Sequence, residues 1–288
     1  MSPPIMKAAI VKAALWMSGW LACMVVMAVA GRETTRELAV FQVMELRSLL
    51  GLAMIYPLIH ANGGFKTLGT AHPWRHIGRN VAHYGAQFGW LMALTLIPIA
   101  QVISIEFTMP IWTAIFAVAF LGERMGLWKN LAVVLGLVGV AIIVRPFSGA
   151  ISAGQLIALA AAVGFATSVI MTKALTRTDH AVVIIFWMMA IQSVMGLAPA
   201  LYDWRAPSLH VWGWLLVIAF CGTYSHYCMT RALLHADATV VVPMDFLRVP
   251  LAAVTGWLVY AERIDLLTAL GAALILAGNL LNLKSAKG

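Results

Sequence analysis

The residues able to do chemistry in this chain are charges set deep in apolar sequence. The stretch VPMDFLRVPL (242–251) places Asp245 and Arg248 three residues apart, with Pro243 and Pro250 around them. Glu45, Arg47 and Glu106 stand in equally apolar surroundings, six or more residues from the nearest turn. An ionised side chain at the centre of a membrane-crossing helix costs about 2.5–3.5 kcal/mol on insertion scales. Five of them facing lipid would consume about as much free energy as a whole domain's stability, so they must meet each other or a wet cavity. Residues three apart share a helix face, so Asp245 and Arg248 can pair. Glu45 and Arg47, two apart, point to different sides, and at least one needs a partner from another helix. Proline frees a backbone carbonyl, and irregular backbone at membrane depth is tolerated where it lines a cavity. The expected chemistry is recognition of a zwitterion: a guanidinium forks onto a carboxylate while the acids hold an ammonium. Glu106 or Asp245 is also expected to take up a proton and couple movement to it.

The elements that must position these groups follow from composition. The chain has 288 residues, 62% hydrophobic and 10% charged, against about 25% charged in soluble domains. Apolar stretches near the roughly 20 residues of a membrane-spanning helix recur from end to end, and no short alternating strands of a β-barrel appear. Ten spans are expected, near 10–30, 38–59, 80–97, 100–121, 127–144, 153–173, 181–201, 209–230, 238–260 and 264–283. With the N-terminus in the cytoplasm, twelve of the 19 Lys and Arg residues fall on that side and five on the other, which predicts cytoplasmic termini. The net charge of +8 therefore reads as topology and not as a nucleic-acid surface.

An internal repeat sharpens this reading. Residues 93–139 align without a gap on 232–278 at a constant offset of 139: Phe107 on Phe246, Glu123 on Glu262, Arg124 on Arg263, Gly139 on Gly278. Glu106 falls on Asp245 and Gln87 on His226. Each half then holds five spans, residues 1–149 and 150–288. An odd number reverses orientation, so the halves are inverted, an arrangement that puts a transporter's substrate site between them. Ala28-Val29-Ala30 resembles a signal-peptidase site, but the first span has a counterpart at 154–175 and its removal would leave unequal halves.

Each half carries a proline helix (Pro110; Pro250), a Gly/Ala-Glu joint (Gly122-Glu123; Ala261-Glu262) and then a glycine-centred helix, and the second span carries Glu45-Leu46-Arg47. In these features the chain resembles the EamA family of the drug/metabolite transporter superfamily over nearly its whole length. The resemblance implies an all-α fold of ten transmembrane helices in two inverted five-helix repeats, cytoplasmic termini in a bacterial inner membrane, and alternating access for a small metabolite. ELRSLLG and FWMMAIQS are similar to the opine-metallophore exporters of that family. The expected activity is export of a small zwitterionic metabolite, with uptake of an amino acid or S-adenosylmethionine-like solute as the alternative.

Weaker candidates for the same cavity are His83, Gln87 and Trp90 on the third span, Trp187 and Gln192 on the seventh, and Tyr224 and His226 on the eighth; for each histidine an interhelical hydrogen bond is an equal alternative. Cys221, His226 and Cys228 lie on one helix and do not converge as metal ligands, the scattered methionines read as packing, and Glu123 and Glu262 as anchors of helix joints. No cofactor or metal is expected. The expected partners are the zwitterionic solute and the lipid bilayer, with a homodimer left open and nucleic acid excluded. An intramembrane enzyme would need a motif such as HExxH or GxSxG, and neither occurs. A channel would need symmetric subunits around a pore.

Overall fold

The structure is a computed structural model that describes the chain except residues 1–2, 62, 110, 114, 117–126, 145–151, 176–177, 236–243, 246, 264 and 286–288. Pro110, Glu123, Arg124, Pro243 and Phe246 lie outside the described residues. Ten α-helices are described: α1 (Pro3–Thr35), α2 (Val40–Ala61), α3 (Pro73–Leu96), α4 (Ile99–Glu106), α5 (Leu127–Val144), α6 (Ala153–Leu175), α7 (Ala181–Tyr202), α8 (Leu209–His235), α9 (Arg248–Tyr260) and α10 (Leu266–Ser285). Among the described residues there is no β-strand, and one 3₁₀ turn (Phe65–Leu68) leads into α3. Pro73 opens α3, where its missing N–H has no helical partner to lose. Among the described residues four segments, Val11–Thr35, Val40–Ala61, Ala153–Thr172 and Val182–Tyr202, are both long and apolar enough to cross a membrane. Val133–Ile143, Leu209–Ser225 and Leu266–Gly278 are shorter apolar stretches.

The helices pack in a regular pattern. α1 lies against α8 and α3 against α6, while α2 meets α7, α4 meets α9 and α5 meets α10. Advancing each label by five exchanges the first two pairs and maps the other three onto themselves, as a two-fold relation between halves requires. Small residues allow the closest approach: a Cβ on Gly139 of α5 would stand 2.6 Å from the Gly271 carbonyl of α10. Buried Met44, Leu91, Leu94, Ile99, Ile103, Ile105 and Ile275 join both halves in one core.

Two expected spans, 100–121 and 238–260, are interrupted. α4 ends at Glu106; Phe107 has ψ near 0, and Thr108 N–H turns back to the Ile105 carbonyl (3.0 Å). At the matching place Leu247 N–H bonds the Met244 carbonyl (3.2 Å), and α9 begins at Arg248. The same three-residue turn thus recurs 139 residues on, beside each repeat's carboxylate. Periodicity cannot locate such a break, because the apolar pattern continues through it.

Candidate functional site

The two breaks bring their charges together. Arg248 Nη1 donates to Glu106 Oε1 at 3.0 Å, and Nη2 reaches Asp245 Oδ2 at 3.3 Å. Indoles hold the remaining carboxylate oxygens: Trp90 of α3 donates to Glu106 Oε2 (2.8 Å) and Trp20 of α1 to Asp245 Oδ1 (2.6 Å). Arg248 also lies 4.7 Å from the centre of the Phe107 ring. The guanidinium side chain is 5% exposed, Glu106 and Asp245 13% and 15%. The centre has one cation between two anions and joins α1, α3, α4 and α9, drawn from both halves. Each carboxylate has the guanidinium against it, and Arg248 Nε is left without a partner.

A second polar group lies between α2, α3 and α7. Glu45 is 1% exposed, and Oε2 has no hydrogen-bond partner. The Tyr84 hydroxyl beside it has none either. A Cβ on Gly196 of α7 would stand 2.5 Å from Glu45 Oε2 and 2.9 Å from Tyr84 Oη, so glycine there makes room for both. Arg47 lies toward α8, its Nη1 4.0 Å from a Cβ built on Gly222, and its Nε is also unpartnered. Gln87, one turn beyond Tyr84, is buried with neither amide atom paired; Ser193 Oγ and Gln192 Oε1 share that condition. Gln192 Nε2 makes a long contact with Asn80 Oδ1 (3.4 Å), which also accepts from Arg79 (3.0 Å).

One stripe of α3 links the two groups. His76, Asn80, Tyr84, Gln87 and Trp90 are all buried and recur every three or four residues, along one side of the helix for about 21 Å. At one end His76 Nε2 bonds Asp179 in the α6–α7 joint (2.7 Å), with Thr70 on the same oxygen (2.8 Å). Burial disfavours the ionised form of Asp179, yet the bonds from His76 and Thr70 outweigh it and hold the carboxyl below the usual carboxylate range.

The opposite end is closed by a clasp. Arg32 Nη1 pairs with Glu262, while its Nε and Nη2 donate to the carbonyls of Leu94 in the last turn of α3 (2.7 Å) and Ile97 in the α3–α4 joint (2.6 Å). Glu262 Oε2 accepts the Ile99 N–H (3.0 Å). What aims this carboxylate is the end of α9: Ala261 takes a left-handed conformation (φ 53), and Glu262 N–H returns to the Gly256 carbonyl. Outside the clasp a cavity of about 490 Å³ is lined by Arg36, Thr35, Thr95, Pro98 and Tyr260. Nearby, the Glu37 carboxylate accepts from Ser208 N–H and hydroxyl at the start of α8, which lowers its pKa.

Of the sequence candidates, the structure gathers Trp90, Glu106, Asp245 and Arg248 at one centre; Glu45 lies beside Tyr84 and Gly196, Arg47 toward Gly222, Gln87 on the α3 stripe and Gln192 against Asn80. Others lie elsewhere. Trp187 donates its indole N–H to the Leu68 carbonyl (3.0 Å). His83 packs edge-on to Phe165 of α6. Tyr224 stacks between Phe220 and Tyr227 along α8. The His226 side chain lies outside the described residues. Sequence reasoning missed Trp20, Tyr84, Ser193 and Gly196. Tyr84 carries a signal in hindsight, standing three residues before Gln87 and four after Asn80; a tryptophan or glycine in an apolar helix carries none. Glu262 anchors a joint, as its position predicted. Among the described residues no cluster of three or more metal-binding side chains occurs.

Comparison with known proteins adds a family. A model described as the EamA-like transporter family matches residues 11–145 and 152–284. A riboflavin transporter of Brucella anthropi is 31% identical over 83% of this chain and 86% of its own. An S-adenosylmethionine uptake transporter of Rickettsia felis is 26% identical over 86% of this chain and 84% of its own. The pseudopaline exporter CntI of Pseudomonas aeruginosa is 28% identical over 89% and 90%.

Proposed function

As the chain belongs to the EamA-like transporter family, an integral membrane family, we propose that it is a secondary carrier of the bacterial inner membrane that exports a small zwitterionic metabolite by alternating access. The observation that carries this reading is the meeting of Glu106, Asp245 and Arg248 at matched breaks of α4 and α9. Broken helices at the interface of inverted repeats are where carriers bind their solutes. In this structure Arg248 is shared between the two acids. A solute carboxylate can displace Glu106 or Asp245 from Arg248, and the acid set free can take the solute's ammonium. The ion pairs are exchanged and no charge is left bare, which keeps the cost of each state comparable. The halves 1–149 and 150–288 act as the two rocking units, and the distribution of Lys and Arg supports cytoplasmic termini. Coupling to protons completes the cycle.

Export and an amino-acid-derived metallophore are favoured by the pseudopaline exporter among the relatives; the S-adenosylmethionine carrier supports the same mixed charge with the opposite direction. A second reading has its own observation. Phe41 stacks on Phe88 at 4.6 Å and faces Tyr84 at 6.4 Å, beside the unpartnered hydroxyl and amide of Tyr84 and Gln87. A planar ring with a hydroxylated side arm, such as riboflavin, suits that face, and the Brucella relative agrees. Comparing metabolites inside and outside cells with and without this gene tests both. A zwitterion lost from the medium and trapped inside supports export; a flavin whose uptake fails supports the second reading; no difference in any metabolite contradicts both.

A further inference from the structure

We propose that Glu45, and neither Glu106 nor Asp245, is the side chain that carries the coupled proton. The inference rests on the carrier reading above for its role, but its physical basis is separate. Glu106 and Asp245 each have a guanidinium and an indole N–H against them. Glu45 is more deeply buried, and its Oε2 has no hydrogen-bond partner among the described residues. A buried, uncompensated carboxylate is far more costly than a carboxylic acid in the same place.

The groups around Glu45 support this from every side. On α2 itself, Arg47 diverges by two residues and lies toward Gly222 of α8. From α3, the neutral Tyr84 hydroxyl is the nearest titratable group, with Arg79 beyond it tied to Thr172 and Asn80. From α7, Gly196 faces the acid, and the nearby Gln192 and Ser193 of that helix are neutral. α1 and α8 meet beside α2 through Met27 and the Cys23–Cys221 thiol pair. Gly196 packs so close that even a Cβ there would stand 2.5 Å from Glu45 Oε2, as expected for a site whose ligand is a proton.

The step balances simply. When the site opens to one side, a hydronium ion gives its proton to a Glu45 oxygen, forming the O–H bond and leaving water. Opening to the other side lets water take that proton, breaking the O–H bond and leaving the carboxylate hydrated. One proton crosses per cycle, opposite in direction to the solute.

Infrared difference spectra of the full-length protein in lipid, titrated with acid and base, test this with the proton as the only ligand. Wild type is expected to show a protonated-carboxyl C=O band at neutral pH that Glu45→Gln abolishes and that Glu106→Gln and Asp245→Asn retain. Gly196→Ala, whose Cβ would press on Glu45 Oε2, is expected to shift that band while the protein stays folded. Absence of the band in wild type, its persistence in Glu45→Gln, or its loss in Glu106→Gln or Asp245→Asn overturns the assignment. In proteoliposomes Glu45→Gln is expected to remove the response of flux to an imposed pH gradient, with Glu45→Asp restoring it; a gradient response that survives Glu45→Gln overturns the assignment too. A band that behaves as stated in a protein with no flux for any solute would instead overturn the carrier reading and leave the protonation of Glu45 standing.

Discussion

Arg248 spends two nitrogens on two carboxylates from different helices, which a lysine ammonium cannot reproduce with the same geometry. Charge-assisted hydrogen bonds contribute about 1.5–3 kcal/mol each, and 1.4 kcal/mol is about tenfold in affinity. Arg248→Lys is therefore expected to weaken solute binding by tenfold or more, and Arg248→Ala to abolish flux. Replacing Trp90 or Trp20 by Phe removes one neutral donor from an acid that keeps its guanidinium. Those variants should retain transport with an affinity reduced only a few-fold, measured as the half-saturating concentration in proteoliposomes. A loss as large as that of Arg248→Ala would mean that the indoles, and not the guanidinium, hold the centre together.

Elements enter through their ends. The clasp of Arg32 and Glu262 ties α1 to the α3–α4 and α9–α10 joints, so it must part for that end to open. Glu262→Gln keeps the shape and weakens the charge pairing. It should raise the rate at which a membrane-impermeant thiol reagent labels a cysteine placed at Thr95, which lines the cavity outside the clasp. The native cysteines Cys23, Cys221 and Cys228 are buried and give a low background. Unchanged labelling would show that this end opens without breaking the clasp. At the other end Asp179 tethers the α6–α7 joint to His76 and Thr70. Its carboxyl is held below the usual range, so its contribution is complete above the unfolded value and fades as pH falls through the folded one. Wild type should melt higher than Asp179→Asn at neutral pH, and the difference should begin to narrow only as pH falls below about 4. A difference independent of pH would assign the tether's effect to shape alone.

At the scale of the molecule, the ten helices and the two matched halves were legible because hydrophobic composition and the 139-residue offset are properties of the chain itself. The Asp245–Arg248 pair was legible for the same reason, since a three-residue spacing determines a helix face. The pairing of Arg248 with Glu106 was not, because it depends on how α4 meets α9. Nor were the breaks at Phe107 and Leu247, where the apolar pattern runs on unchanged and only backbone hydrogen bonds record the turn. Glu45 shows the limit most plainly: its depth could be read from sequence, but that its Oε2 meets no donor among the described residues is a fact about α3 and α7. The account stands on solute passing between the halves at the Glu106–Arg248–Asp245 centre. Counterflow in proteoliposomes, using the metabolite that the medium comparison identifies, tests this most directly. Uptake of label should saturate, accelerate when unlabelled solute is loaded on the far side, and vanish in Arg248→Ala. Uptake that neither saturates nor responds to solute across the membrane, or that survives Arg248→Ala intact, would contradict it.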